Sequence, residues 1–508
     1  MVIVGICLCA LYGAVAQCDI TVSGRVVDQG TGIPLPWSNV LITEKGVGAI
    51  TDSTGHFSLD GICPGAYHLR VSHVGCKTQE IFVAVRNDTT LTIALAHHLE
   101  LLDEIVVHGE HGERTTMPSN TIARELISRE SMQSLGDLIT SVPGVRALQN
   151  GAGIAKPMIH GLFGNRVAIL NNGIPQAGQQ WGNDHAPEID PFVADHISVI
   201  KGVAALEYGS EAMGGAVLVE TKEISADPHL HGEVNYAFQS NGRGHALNAM
   251  LEKGGDWASW RATATMKTRG DTRTPDYFLN NTGMRESNIA LQGEKKIAPA
   301  WHATVYYSLF HTQLGILRGA HIGNLIDLDE ALQREVPFFT EDTFQTDIDP
   351  PRQQVIHHLL KLSARHDIRG QGILSLTYGG QLNQREEFDV RRSGRSDRPA
   401  LSLDQFQHLW TANYSHDLGN GGLLKGGLLA EIEDNTNNPE TGVLPLIPDY
   451  RQFDSGLFAL TEKNWGTLAG EIGFRYLHRY LNVVRIAQTT PPTIERINHR
   501  FHHFAAST

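Results

Sequence analysis

From about residue 231 onward the sequence alternates between apolar and polar residues in segments of strand length. Trp260, Ala262, Ala264 and Met266 fall on one face of an extended chain, and Arg261, Thr263, Thr265 and Lys267 on the other. Trp301, Ala303, Val305, Tyr307 and Leu309 oppose His302, Thr304, Tyr306 and Ser308 in the same way. Leu360, Leu362 and Ala364 oppose Lys361, Ser363 and Arg365; Ile472, Phe474 and Tyr476 oppose Glu471, Gly473 and Arg475. Beyond Ala16 no apolar run approaches the roughly eighteen residues that a membrane helix needs. A soluble β-sandwich and a membrane barrel both alternate like this. The connections favour the barrel. Gly254-Gly255-Asp256 and Gly419-Asn420-Gly421 read as tight turns, the Asn-Gly pair being a strong hairpin signal, whereas the longest connection runs from about His311 to Gln354. Short turns at one end and long loops at the other are the habit of outer-membrane barrels.

Export points the same way. Residues 1–16 are almost wholly apolar and end Ala14-Val15-Ala16, a signal-peptide core with a small-residue cleavage site before Gln17, although the usual basic start is absent. Acylation of Cys18 is a poorer reading, because Val15-Ala16-Gln17 fits a lipobox badly. Cys7 and Cys9 leave with the signal; Cys18, Cys63 and Cys76 remain in a compartment that permits disulfides. Cys63 and Cys76 flank an apparent strand, which makes them the pair expected to bridge neighbouring strands, with idle thiols as the alternative. The formal net charge is −14 and no basic run is present, so a nucleic-acid partner is not expected. The 25 histidines exceed the 12 tyrosines and hint at metal chemistry, although most read as scattered solvated side chains.

Between about residues 115 and 225 the periodicity is mixed, with short helices, short strands and many glycines. The stretch 125–139 carries Leu126, Ile127, Leu135, Leu138 and Ile139 at helical spacing and stops at Pro143-Gly144. The pieces that follow carry a resemblance: L-I-T-S-V-P-G-V at 138–145, His160-Gly161, R-V-A-I-L-N-N-G-I-P at 166–175, and residues 197–219 with their K-G and Y-G-S elements. In this order they resemble the plug of TonB-dependent outer-membrane receptors. Residues 19–97 resemble the carboxypeptidase-regulatory-like β-sandwich found before such plugs, through V-S-G-R-V-V-D at 22–28, P-L-P-W-S-N-V at 34–40, T-D-S-T-G-H-F at 51–57 and P-G-A-Y at 64–67. Asp and Gly at turns between alternating strands agree with that reading.

The resemblance implies a mostly β chain: a signal peptide (1–16), an N-terminal β-sandwich (19–97), a linker (98–114), a mixed α/β plug (115–225) and a transmembrane antiparallel β-barrel (231–508). It also implies an outer-membrane location with the N-terminal domain in the periplasm. In the linker, Asp103, Glu104, Ile105, Val106 and Val107 look like a TonB box, an extended segment that the TonB energy-coupling complex grips by adding it to a sheet edge. His108 stands where Thr or Ser is common. Inside the plug, Gln180-Trp181-Gly182-Asn183-Asp184-His185-Ala186-Pro187-Glu188-Ile189-Asp190 resembles the plug segment of outer-membrane zinc receptors, which makes Asp184 and His185 the expected metal ligands. Glu188, Asp190 and His196 offer further oxygen and nitrogen donors, and His321, Glu330, Glu335, Glu341 and Asp342 in the long loop are weaker candidates. Zinc or another divalent metal is therefore the expected ligand, with siderophore, haem or cobalamin as alternatives and no resident cofactor required. The remaining partners expected are outer-membrane lipid and the small ligand itself.

No H-E-x-x-H run and no Gly-x-Ser-x-Gly elbow is present, so an enzyme is not expected. A binding receptor or adhesin without transport is the competing class. About eleven strand candidates follow residue 231, against the roughly 22 strands of plugged transporters. An open half-barrel would leave unpaired edges in lipid, so the expectation is a barrel cut short that cannot transport by itself.

Overall fold

In the computed structural model the described residues are 18–29, 32–73, 76, 78–96, 120–150, 153–179, 182, 185–209, 211–225, 227–255, 257–320, 324–391, 394–465 and 468–507. The signal-like segment and the TonB-box-like residues 103–107 lie outside them. The chain divides into two compact units, Met1–Glu113 and Arg114–Thr508.

Among its described residues the first unit holds seven strands: β1 (Ile20–Asp28), β2 (Asn39–Ile42), β3 (Val47–Ile50), β4 (His56–Ile62), β5 (Gly65–Ser72), β6 (Gln79–Val85) and β7 (Thr89–Leu95). They form two sheets, ordered β4-β1-β7 and β3-β2-β5-β6. Alternate residues of both sheets, among them Val22, Val26, Val40, Leu69 and Ile93, fill one core. Gly24 is required here, since a Cβ would stand 2.2 Å from the Leu91 carbonyl oxygen on the neighbouring strand.

The expected Cys63–Cys76 bridge does not form. Cys63 is bonded to Cys18, with their Cα atoms 4.3 Å apart. The register explains the choice: Ile20 pairs with Ile62, so the start of β1 lies against the end of β4, where Cys63 begins the turn into β5. Eight residues of β5 separate Cys63 from Cys76, roughly 26 Å of extended chain, far beyond disulfide reach. Cys76 is buried with its Sγ 3.5 Å from His73 Nδ1.

In the second unit the plug comprises β8 (Asn120–Ala123), α1 (Arg124–Arg129), α2 (Leu135–Leu138), β9 (Val145–Asn150), β10 (Ile154–Ile159), β11 (Leu162–Phe163), β12 (Ala168–Asn171), β13 (Ile174–Pro175), β14 (His196–Ile200) and β15 (Ala216–Glu220). Its sheets run β11-β10-β9 and β13-β12-β15-β14-β8. The single helix suggested over 125–139 is broken. Ser134 caps a new start by accepting the Asp137 N–H at 3.2 Å, so the apolar residues are split between two short helices.

Twelve strands then form one antiparallel sheet in chain order, one more than the sequence suggested: β16 (Leu230–Gln239), β17 (Gly244–Lys253), β18 (Ser259–Arg269), β19 (Met284–Ala298), β20 (Trp301–Gly315), β21 (Arg352–Ile368), β22 (Gly372–Phe388), β23 (Leu401–Gly419), β24 (Gly422–Asn437), β25 (Asp449–Trp465), β26 (Leu468–Ala487) and β27 (Thr493–Ser507). The long connection is narrower than expected, since β20 extends past His311 to Gly315 and β21 begins at Arg352. Among the described residues β16 and β27 each pair on one side only.

The burial of this sheet is inverted relative to a water-soluble sandwich. On β18 the polar residues Arg261, Thr263, Thr265 and Lys267 are buried, whereas Trp260 and Met266 are 41% and 61% exposed. Val305, Leu362, Leu376 and Leu457 face outward in the same way, each more than 40% exposed. An apolar outer face and a polar inner face are what a wall between lipid and a plugged lumen requires. The plug sits against that inner face: Ile139, Val167, Ile197 and Val219 share a core with Tyr306, Leu359 and Leu409 of the wall. Lys361 Nζ donates to the Asn172 carbonyl at 2.7 Å, Lys425 pairs with Glu207 at 2.9 Å, and Arg475 donates to the Leu206 carbonyl at 2.9 Å.

Candidate functional site

The plug loop before the short helix Pro191–Val193 lies against the inner face of β21 and β22. Strand alternation aims Gln381, Asn383, Arg385 and Glu387 of β22 into the lumen, beside Gln353 and His357 of β21. Several of them grip the loop. Arg385 forms an ion pair with Glu188, both side chains being 3–4% exposed. Gln176 and Asn383 donate to the other Glu188 oxygen at 3.0 and 3.4 Å. Gln381 donates to the Pro175 carbonyl at 2.8 Å and accepts the Ala177 N–H at 3.3 Å. Lys156 ties the Gly182 carbonyl at 3.0 Å. His185 places Nε2 3.1 Å from Glu387 Oε1, which also accepts from Gln353 at 3.1 Å.

Electrostatics follow from this enclosure. Burial pushes the Glu188 carboxyl up, against the pull of Arg385. Burial holds the His185 imidazole below its ordinary value, and Arg385 adds to that, while Glu387 opposes both. An imidazole kept neutral is one able to ligate a metal.

The sequence-predicted donors are not gathered in one place. Asp184 and His321 lie outside the described residues. His185 meets the wall at Glu387, and Glu188 is consumed by Arg385 and Gln176. Asp190 accepts the Phe192 N–H at 3.1 Å, capping the short helix, and burial pushes its carboxyl up against the pull of Lys267. His196 is on β14, clasped by Glu220 at 3.2 Å and Asp195 at 3.5 Å. Among the described residues no three such donors enclose a common point. Glu387, Arg385, Gln381 and Lys156 were missed by sequence reasoning. The Gln-x-Asn-x-Arg-x-Glu spacing in β22 was a faint signal, masked because Gln384 and Glu386 on the opposite face are polar too.

Beside this clasp, at the long-loop end of the wall, lies a cavity of about 360 Å³, lined in part by Arg129, Met132, Glu188, Lys267, Arg269 and Phe310. A volume of that size is at the small end of ligand pockets.

A polar inner face packed against a domain that precedes the wall is the arrangement of a plugged outer-membrane β-barrel, present here as a twelve-strand wall. Comparison with known proteins supports this. Residues 22–107 match the CarboxypepD_reg-like domain and residues 112–216 match the TonB-dependent receptor plug domain. The chain is 31% identical to TonB-dependent receptor P39 of Formosa agariphila, over 41% of this chain and 20% of that one. It is 21% identical to the vitamin B12 transporter BtuB of Photobacterium profundum, over 46% of this chain and 37% of that one. In fold it is similar to the ferric citrate transporter FecA, with a TM-score of 0.57, 16% identity, and 77% and 60% of the two chains covered. It is equally similar to the copper transporter OprC, with a TM-score of 0.58, 12% identity, and 77% and 59% covered. The chain thus matches well under half the length of these two curated relatives. It carries the carboxypeptidase-regulatory-like and plug domains of a TonB-dependent receptor, and its wall has the fold of an outer-membrane barrel.

Proposed function

We propose that this protein serves TonB-dependent uptake of a scarce nutrient across the outer membrane, and that its cargo is zinc or another divalent metal. The observation that carries the metal reading is the approach of a plug imidazole, His185, to a wall carboxylate, Glu387, at 3.1 Å. Asp184, next in sequence, supplies a third donor of the right chemistry. Release then requires the clasp to have a second state of lower affinity. Tension on residues 103–107, transmitted to the plug by the TonB complex, supplies it in this reading.

Zinc titration calorimetry on the full chain is the test. Tight binding that is lost in Asp184→Ala/His185→Ala and weakened at least tenfold in Glu387→Gln supports the metal. No zinc binding in the unaltered protein removes it. In a receptor whose wall is completed to a closed barrel, deleting residues 103–107 is expected to abolish energy-dependent uptake while sparing binding; unchanged uptake would refute the coupling. Binding without any uptake would make the protein a receptor or adhesin.

A second reading, an organic cargo of the siderophore, haem or cobalamin kind, is favoured by the cavity with Lys267, Arg269 and Phe310 in its lining. The names of the ferric citrate and vitamin B12 transporters among the similar proteins support it. Binding of such a ligand, unaffected by Asp184→Ala/His185→Ala, would favour it over the metal.

A further inference from the structure

Where the plug gives way to the wall, the chain reads Asp227-Pro228-His229-Leu230-His231. Both imidazoles turn to one carboxylate: His229 Nδ1 is 2.6 Å from Asp227 Oδ1, and His231 Nε2 is 3.0 Å from Asp227 Oδ2. The segment is anchored, because the Gly254 N–H donates to the Asp227 carbonyl at 2.8 Å and ties it to the short turn after β17. His229 also donates its backbone N–H to Asp227 Oδ1 at 2.9 Å. Hydrogen bonds from the His229 backbone and ring and from the His231 ring thus converge on one carboxylate. One backbone bond suffices to shape a turn. It does not account for two exposed imidazoles placed on the two oxygens of one carboxylate.

We propose that Asp227, His229 and His231 form a binding site for a divalent transition metal of the zinc class at the short-turn mouth of the barrel. Two imidazole nitrogens and one carboxylate oxygen are a familiar three-ligand set that leaves a further position to water. As they stand, the three donors do not surround one point. The His229 side chain is 83% exposed, so its ring can swing from the carboxylate onto a shared ion without disturbing any packing. Metal–ligand bonds of about 2.0–2.2 Å place neighbouring donors roughly 3 Å apart. The two nitrogens now bond the two carboxylate oxygens directly, at 2.6 and 3.0 Å, so binding replaces those bonds as the rings turn to share the ion. An open water position makes the site one of exchange rather than storage. Its use as a stop for departing cargo rests on the metal reading above; its existence does not.

The test is titration of Co²⁺, read by its ligand-field absorption, and of Zn²⁺, read by calorimetry, into the detergent-solubilised full chain. His229→Ala and His231→Ala are each expected to weaken this site at least tenfold. Asp227→Asn keeps an oxygen acceptor for the His229 N–H, so the turn is preserved while the charge is lost, and it too is expected to weaken binding. Asp184→Ala/His185→Ala is expected to leave this site intact, which separates it from the plug loop. Equal stoichiometry and affinity in the unaltered chain and in all three variants would overturn the proposal. So would a loss confined to one histidine, since a chelate needs both.

Discussion

The Glu188–Arg385 pair joins the plug loop to the wall. Both partners are nearly inaccessible, and removing one leaves the other as an uncompensated buried charge. Arg385→Met is therefore expected to destabilise the plug–wall contact by about 3–5 kcal/mol, read by denaturant unfolding. Adding Glu188→Leu is expected to recover most of that loss, because an apolar pair of similar volume avoids desolvating two charges. If the double variant were as unstable as the single one, the pair would not be the source. His196 gives a pH signature of opposite character. Its hydrogen bond to Glu220 raises it above its ordinary 6.5 despite partial burial, so the folded chain holds the proton more tightly than the unfolded chain. The stabilisation is complete below about 6.5 and is lost as pH rises through the folded value. Its carboxylate partners are 41% and 46% exposed, which limits the effect to under about 1 kcal/mol. The stability gap between the unaltered protein and His196→Asn should thus shrink as the solution is made alkaline, in paired melts across that range. A gap that grew would contradict the assignment.

At the scale of the element, close approach dominates. Gly136 brings α2 onto β10 so tightly that a Cβ would stand 2.0 Å from the Ala155 carbonyl oxygen. Gly136→Ala is expected to cost about 1–3 kcal/mol, visible as a lower plug melting temperature. On the outer wall, tyrosines from one strand satisfy histidines on the next: Tyr236 with His245 at 2.8 Å, and Tyr307 with His358, Tyr378 with His408 and Tyr476 with His502 at 2.9 Å each. Such pairing lets an imidazole sit on a lipid-facing position with its nitrogen occupied. Tyr378→Phe leaves His408 without that hydroxyl and is expected to cost about 1 kcal/mol in bilayers. Equal stability of the two proteins in bilayers would show that lipid headgroups or water satisfy the ring instead. The elements themselves were largely legible, because alternation over strand-length segments decides both conformation and face. The break between α1 and α2 was not, since Ser131 to Ser134 are compatible with a continuous helix until Ser134 turns to cap the next one.

The whole molecule adds constraints that no local segment contains. The Cys18–Cys63 disulfide closes a sequence separation of 45 residues around β1 to β4. Its reduction is expected to cost the N-terminal unit up to about 4 kcal/mol. Hydrogen exchange of β1 and β4 amides, with and without reductant, measures this; unchanged protection would mean that the sandwich core is sufficient alone. The sequence by itself determined which residues share a face in the segments at 260–267, 301–309, 360–365 and 471–476, because the side-chain period of a strand is two whatever it pairs with. It also determined the order of sandwich, plug and wall, through turn residues and short motifs. Only the tertiary structure decided that Cys63 joins Cys18, that Glu188 answers Arg385 and that His185 meets Glu387. These partners are 45, 197 and 202 residues apart. The cysteines meet through the register of β1 on β4, and the other two pairs through the packing of wall strands around the plug, geometry that local periodicity does not encode.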